Sequence, residues 1–472
     1  MPSRTLLRCL LGAVLLLPVA SLPPTATAAP AVGPGAAAAR ATAAAPALAV
    51  AVGAARAAAP AVRAAPAGAT PAGGSGVDYQ GLRLVLPDGW RVVDLDRHPE
   101  ACLRLDLPTL YLGHAGTQAQ CSGRRAVPTR ADTLHLEPVE GAPPRADIPT
   151  LPVDGTAGLP PAEGDSGEVR YALRDAGVMA TLSYGASPDA VRSLLARAAG
   201  TRAADAPAGP PVIATAAPAP PRTVQYAFAG QGFDACTAPP QRSMDAWRGT
   251  SPFGAVGIYI GGRARACAQP QLTAGWVRRQ AEAGWHLMPI WVGPQPWHDA
   301  ATGLSTDPSK ANDQGRAAAE GAVDAARALG LAEGTLLYND LENYSDRATW
   351  DAPVVAYLTA WTVRLHELGY RSAAYVAASS GVKALGAHHH QAPHAMPDVL
   401  WVAQWNGAAS VTDKDLGLPA GTAMWSGPRR AHQFRGDHDA SYGGVTLNID
   451  RSHVDVDPTV LTPVGAPLFP RG

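Results

Sequence analysis

The chain has 472 residues, room for two or three domains, and a formal net charge of −1 with only 16% charged residues. That near-neutral balance excludes the basic footprint of a nucleic-acid binder. The 47% hydrophobic content overstates the core, because much of it is alanine in low-complexity segments.

Residues 1–29 read as a secretory signal peptide: Arg4 and Arg8 precede an apolar run at 10–19, and small residues follow at 26–29. The run is too short and too interrupted by proline for a membrane span. The two arginines are not adjacent, as a twin-arginine signal would require, and Cys9 precedes the apolar run, where a lipid-anchor cysteine is not expected. The expectation is an exported, extracellular or cell-wall-associated protein with no stable membrane span once the signal is removed. Residues 30–75 are almost wholly Ala, Pro, Gly, Val and Thr; they lack the large apolar side chains that offset ordering entropy, and predict a flexible tether.

From residue 76 the texture changes. YQGLRLVLPDGWRVVDLD alternates apolar and polar residues around a P-D-G turn, which predicts a hairpin. TLYLG, TLHLEPV and EVRYALRDAGVMATLSYG predict further strands, and PDAVRSLLARA an amphipathic helix with proline near its first turn. Residues 76–200 are therefore expected to form a small α+β domain, without a catalytic constellation of its own. Residues 201–222, rich in Ala and Pro, predict a second linker.

Residues 223–462 alternate short apolar strands with helical patterns. GFDAC (232–236), AVGIYIGG (255–262), HLMPIWVGPQ (286–295), GTLLYNDLE (334–342), RSAAYVAAS (371–379), VLWVAQWNG, AHQFRG and VTLNIDRSHVD make eight strand candidates. Between them LTAGWVRRQAEAG, ANDQGRAAAEGAVDAARALG and APVVAYLTAWTVRLHELG read as helices, the last two closed by Gly330 and Gly369. Such alternation predicts a parallel sheet covered on both faces, and eight units predict an α/β, TIM-like (β/α)8 barrel, irregular in its last third. A doubly wound open sheet is the alternative, but GFDACTAPP is not a G-x-G-x-x-G phosphate loop, and no cofactor is expected.

Four cysteines remain after the signal, an even number that suggests disulfides in an exported protein. Three pairings are possible; Cys102 with Cys121 and Cys236 with Cys267 is favoured, one bridge in each domain, against buried free thiols.

In a barrel of this kind functional groups gather at the C-terminal ends of the strands. Asp234 lies near the end of the first strand, Asp340 and Glu342 end the fourth, and Asp450 ends the eighth. Tyr259, Trp291, Tyr344, Tyr375, Gln404, Trp405 and Gln433 lie within or beside strand ends, a polar cup with rings for stacking on sugars. Residues i and i+2 of a strand share a face, so Asp340 and Glu342 stand about 6–7 Å apart at the backbone. Two carboxylates this close do not both ionise freely; one raises the pKa of the other and prepares a proton donor suited to glycosidic cleavage. The bland alternative is a polar strand end whose acids cap helices.

GFDAC, PIWVG, LLYNDLENY, LWVAQWN, HQF and NID, in this order over about 223–460, resemble the glycoside-hydrolase-like TIM-barrel domain of exported actinobacterial proteins and, more distantly, glycoside hydrolase family 25, the lysozyme-like muramidases. The resemblance implies that Asp234, Asp340, Glu342 and Asp450 line an active site. It makes Glu342 the general acid and gives Asp340 the task of steadying an N-acetyl-assisted intermediate or positioning water. Two segments depart from the muramidase pattern: IYIGG stands where a polar, acidic strand end is usual, and HQFRGDHD replaces a W-Q-Y-type strand.

His388, His389, His390 and His394 fall in a Pro-flanked segment without a recognised ligand framework, so a solvated loop rather than a metal site is expected. Trp276 and Trp361, on helices, are expected to anchor the core. The residues together with the resemblance imply a secreted, muramidase-like glycoside hydrolase acting as a monomer on peptidoglycan or another N-acetylated β-linked polysaccharide. The competing reading is a non-catalytic glycan-binding or envelope protein on the same barrel.

Overall fold

A computed structural model describes residues 70–72, 76–121, 126–139, 148–153, 167–185, 187–200, 223–298 and 303–461. The expected signal peptide, nearly all of the first tether and the second linker lie outside the described residues. Among the described residues no helix is long and apolar enough to cross a membrane.

The first domain contains β1 (Thr70–Ala72), β2 (Gly76–Tyr79), β3 (Leu82–Val85), β4 (Trp90–Asp94), β5 (Thr109–Leu112), β6 (Thr133–Pro138), β7 (Thr150–Leu151), β8 (Glu168–Leu173), β9 (Val178–Ser183), α1 (Asp189–Ala196) and β10 (Ala199–Gly200). Seven strands form a mixed sheet in the order β1-β4-β5-β6-β9-β8-β7, and β10-β3-β2 form a small second sheet. β1 falls within the segment expected to be tether. The hairpin is found one turn earlier than the P-D-G predicted: β2 and β3 pair across Gln80 and Gly81, both at positive φ (46° and 80°), whereas the P-D-G segment sends the chain into the other sheet. Gln80-Gly81 supplies the left-handed pair that a two-residue hairpin turn needs. One face of the large sheet packs Leu110, Leu134, Leu136 and Leu182 against Val191, Leu194 and Leu195 of α1 and Leu82 and Leu84 of β3. The other face, through Val93 and Tyr111, joins Leu103, Leu105 and Ala268, so it turns toward the second domain.

That second domain is a closed barrel of β11 (Phe228–Asp234), β12 (Phe253–Gly261), β13 (His286–Val292), β14 (Leu336–Leu341), β15 (Arg371–Ala377), β16 (Val399–Ala403), β17 (Arg429–Tyr442) and β18 (Val445–Val456). Its helices are α2 (Gln241–Arg248), α3 (Ala274–Glu282), α4 (Pro308–Ala328), α5 (Arg347–Glu367) and α6 (Gly381–His388). Local chemistry fixes the helix ends. Thr273, Asp307 and Asp346 cap α3, α4 and α5 with their side chains, and Gly284, Gly330 and Gly369 take the left-handed conformation just after them.

Strand alternation sorts the apolar residues into two cores. Leu336 and Tyr338 of β14, Met288 and Ile290 of β13, and Ala373 of β15 fill the barrel interior. Their neighbours Leu337, Leu341, Leu287 and Ala374 face outward with Trp276 and Trp361 of the helices. The expectation of a wholly parallel sheet is corrected at the closing strand: β18 runs antiparallel to both β17 and β11. The two strands meet at a Gly443-Gly444 turn and run on past the barrel, bending at irregularities between Gln433 and His438. Leu447, Ile449 and Tyr442 pack there against the outer core that includes Trp247 and Phe253, covering the wall that a helix would cover in a regular barrel. Both favoured disulfides are present, Cys102–Cys121 and Cys236–Cys267.

Candidate active site

At the C-terminal ends of the parallel strands, Gln433 ties the rim together. Its side-chain oxygen accepts from the Tyr375 hydroxyl at 2.9 Å and the Trp405 indole N–H at 3.0 Å. Its amide nitrogen donates to Asp234 at 3.1 Å and to Asp450 at 3.3 Å. The four partners settle the orientation of this amide, with oxygen toward donors and nitrogen toward carboxylates. Asp234 accepts in addition from the Tyr259 hydroxyl at 2.9 Å, and Asp450 from the backbone N–H of Asp437 at 2.6 Å. Asp450 does not end its strand, as expected from the sequence. It lies in mid-β18, and the antiparallel return brings it opposite Asp234 in the register, so it reaches the rim by another route.

The alternation that places Leu336 and Tyr338 inside the barrel carries Asp340 to the same side; it is buried, while Glu342 just past the strand is half-buried. Gln295, fully buried after β13, stretches this segment: its amide donates to the Asp340 carbonyl at 2.8 Å and its oxygen accepts from the Glu342 N–H at 2.8 Å. Next to them Asn343 accepts from the hydroxyls of Ser379 and Ser380, fixing the turn out of the strand. The convergence of the acids shows in Tyr375. Burial holds its hydroxyl well above the usual phenol value, and the charges of Glu342, Asp340, Asp450 and Asp234 push it further in the same direction. Four carboxylates from three separate stretches of chain therefore act on one phenol, and Asp340 stands opposite it in the strand register.

Aromatic groups complete the rim. Trp405 is 62% exposed, and its ring lies so close over Gly436 that a Cβ there would come within 2.0 Å of it. Trp401 stacks edge-on beneath Tyr375, and Trp297 packs at the edge of the interior cluster. Ring faces fixed in this way suit stacking on a sugar.

Three expected members of the cup are elsewhere. Trp291 is buried in the outer core, because it alternates with Ile290 and Val292 and so points toward the helices. Tyr344 also joins the outer core and donates to Asp351 of α5 at 2.8 Å; the strand ends at Leu341, and the i+2 rule does not extend to it. Gln404 turns its side chain toward Gly417, where an added Cβ would stand 3.2 Å from its amide oxygen. Sequence reasoning missed Gln295 and Trp297, although G-P-Q-P-W directly follows an apolar strand. Of the histidine cluster, His388 is the last residue of α6, His389 and His390 lie in the turn that follows, and His389 packs on Trp425 with ring centroids 4.7 Å apart. Among the described residues no group of three or more His, Cys, Asp or Glu could hold a metal ion.

Residues 245–454, less than half of the chain, match the family described as the Rv2525c-like, glycoside hydrolase-like domain, so the resemblance carried by the motifs holds for the barrel. Among solved structures, an uncharacterized protein of B. stearothermophilus is 19% identical, with 48% of this chain and 95% of that chain covered and a TM-score of 0.32. The Mycobacterium tuberculosis Tat-secreted protein Rv2525c is 15% identical over 48% of this chain and 96% of its own, with a TM-score of 0.33. The modular autolysin LytC from Streptococcus pneumoniae is 14% identical, with 48% of this chain and 46% of that chain covered and a TM-score of 0.32. No curated protein matches the chain.

Proposed function

We propose that this is an exported, monomeric glycoside hydrolase that cuts a β-linked, N-acetylated glycan such as peptidoglycan. The observation that supports the reading is the rim itself: Gln433 bonds Asp234, Asp450, Tyr375 and the exposed Trp405, and Asp340 lies opposite Tyr375 in the strand register, two residues before Glu342. Glu342, at the solvent edge, protonates the leaving oxygen of the glycosidic bond. Asp340, buried behind it, stabilises the positive charge that develops on the sugar, directly or through the substrate's own N-acetyl group. Asp234 and Asp450, each hydrogen-bonded to Gln433, shape the subsite, with Tyr259 and Tyr375 beside them. Export agrees with the two disulfides, which persist in oxidising compartments, and with the signal-like first 29 residues.

The test is incubation of wild type and Glu342→Gln with purified peptidoglycan and with N-acetylated oligosaccharides, following new reducing ends. Loss of a general acid lowers the rate by about 10²–10⁴-fold. Binding by both proteins with release by neither would replace this reading with a non-catalytic glycan-binding protein, a role that would draw on the exposed ring of Trp405.

A further inference from the structure

The exit of β12, Ile258–Gly262, carries no acid, and the first domain is seated on it. Backbone N–H groups of Leu105 and Val127 donate to the carbonyls of Ala266 and Ala264, and that of Ala268 donates to Leu103. Around this junction lies a charge cluster. Glu168 of β8 accepts from Arg265 at 2.6 Å through one oxygen and from Arg170 at 2.7 Å through the other. Arg265, only 3% exposed, also donates to the Tyr259 carbonyl at 3.2 Å, and the Tyr259 hydroxyl holds Asp234. Arg170 donates to the Gln269 carbonyl at 3.1 Å. The Gln269 side chain in turn bonds the Cys236 carbonyl and the Ala238 N–H, just beyond β11. Arg130, buried beside them, donates to the Gly262 carbonyl at 3.3 Å.

We infer that Glu168 and Arg265 are positioning residues for the rim: the first domain holds the exits of β11 and β12, and through Tyr259 it sets where Asp234 stands. One carboxylate thus serves two arms that reach adjacent strand exits, which a cluster built only to join two surfaces would not require. The inference deepens the glycan-site reading, and its ligand arm rests on that reading.

Two variants of the full chain test it. Glu168→Gln weakens both arms. Glu168→Met/Arg265→Met removes one charge of each sign and puts apolar side chains of similar length in place of that ion pair, while Arg170 keeps the Gln269 carbonyl and Arg130 the Gly262 carbonyl. In both, amide hydrogen exchange read by mass spectrometry is expected to quicken at 234–238 and 259–265 by about tenfold or more, with 371–377 and 399–403 unchanged. Exchange at 259–265 equal to wild type would overturn the proposal, whatever the activity. The second arm is a double-mutant cycle on the affinity for an N-acetylglucosamine trimer. The Met pair is expected to weaken binding about tenfold in the wild type but less than about twofold in a Tyr259→Phe background, because the effect passes through Tyr259. Equal losses in both backgrounds mean a merely structural joint and overturn it. A wild-type protein that neither binds nor cuts glycan sinks the function reading and leaves the exchange result to decide this one.

Discussion

The side chain of Gln433 shows how a neutral amide can govern a site made of acids. It is 1% exposed, and both of its ends are engaged, the nitrogen by two carboxylates and the oxygen by a phenol and an indole. A charged donor would neutralise one carboxylate and leave Tyr375 and Trp405 without their acceptor; an acid would add a further negative charge. Gln433→Leu keeps the approximate volume and removes all four bonds. Hydrogen bonds to charged groups contribute about 1.5–3 kcal/mol each, so even with local repacking the variant is expected to lose about 3 kcal/mol of unfolding free energy. Urea unfolding reads this directly. A loss under about 1 kcal/mol would mean that water replaces the amide and that the rim is far wetter than its burial indicates.

At the scale of elements, α4 and α5 meet through small residues. A Cβ on Gly315 would stand 2.2 Å from the Tyr357 carbonyl and 3.0 Å from the Ala360 side chain, so backbone would have to move. In an isolated helix Gly→Ala stabilises by about 1 kcal/mol. Here overpacking reverses the sign, and Gly315→Ala is expected to destabilise by about 1–3 kcal/mol in the same urea measurement; a stabilised variant would show that the helices part freely. The elements most legible in the sequence were those set by a short-range rule. Period 3.6 and a closing glycine predict α4 and α5, and period 2 carries Leu336, Tyr338 and Asp340 to one face, but that rule stops with the strand at Leu341, one residue before Glu342. Trp291 lies outside the barrel because in H-L-M-P-I-W-V it is out of step with Met288, Ile290 and Val292, which point inward. The direction of β18 depends on pairing with β11, more than two hundred residues away in sequence, which no local period encodes. Its signal was Gly443-Gly444 between alternating runs, the composition of a tight hairpin. Gln295 escaped because a lone glutamine acquires meaning only once β13 and β14 lie side by side.

At the scale of the whole molecule, buried titratable groups in both domains make stability depend on pH in two separate windows. His135, in the first domain, and His286, in the barrel, are each lowered to about 4 by burial. In the unfolded chain a histidine takes up its proton near pH 6.5, so between about 6.5 and 4 the unfolded state binds more protons and stability falls as pH falls. Each contributes about 2 kcal/mol of loss between pH 7 and 5. Glu168 acts lower. Burial would raise it, but Arg170, Arg265 and Arg130 together bring it to about 2. A depressed carboxylate contributes stability that is fully present above its unfolded value near 4.5 and lost as pH falls toward 2. Unfolding free energy is therefore expected to drop by about 4 kcal/mol from pH 7 to 5, before the interdomain cluster is touched. His286→Phe keeps a ring against Phe228, whose centroid lies 5.3 Å from the native imidazole, and removes the titration. It is expected to halve that drop, whereas Glu168→Gln leaves it unchanged and flattens only the limb below pH 4.5. Urea titrations of the three proteins at pH 7, 5 and 3 separate the windows. Equal stability of the wild type at pH 7 and 5 would mean that both imidazoles reach water and take up protons as readily in the folded protein as in the unfolded chain.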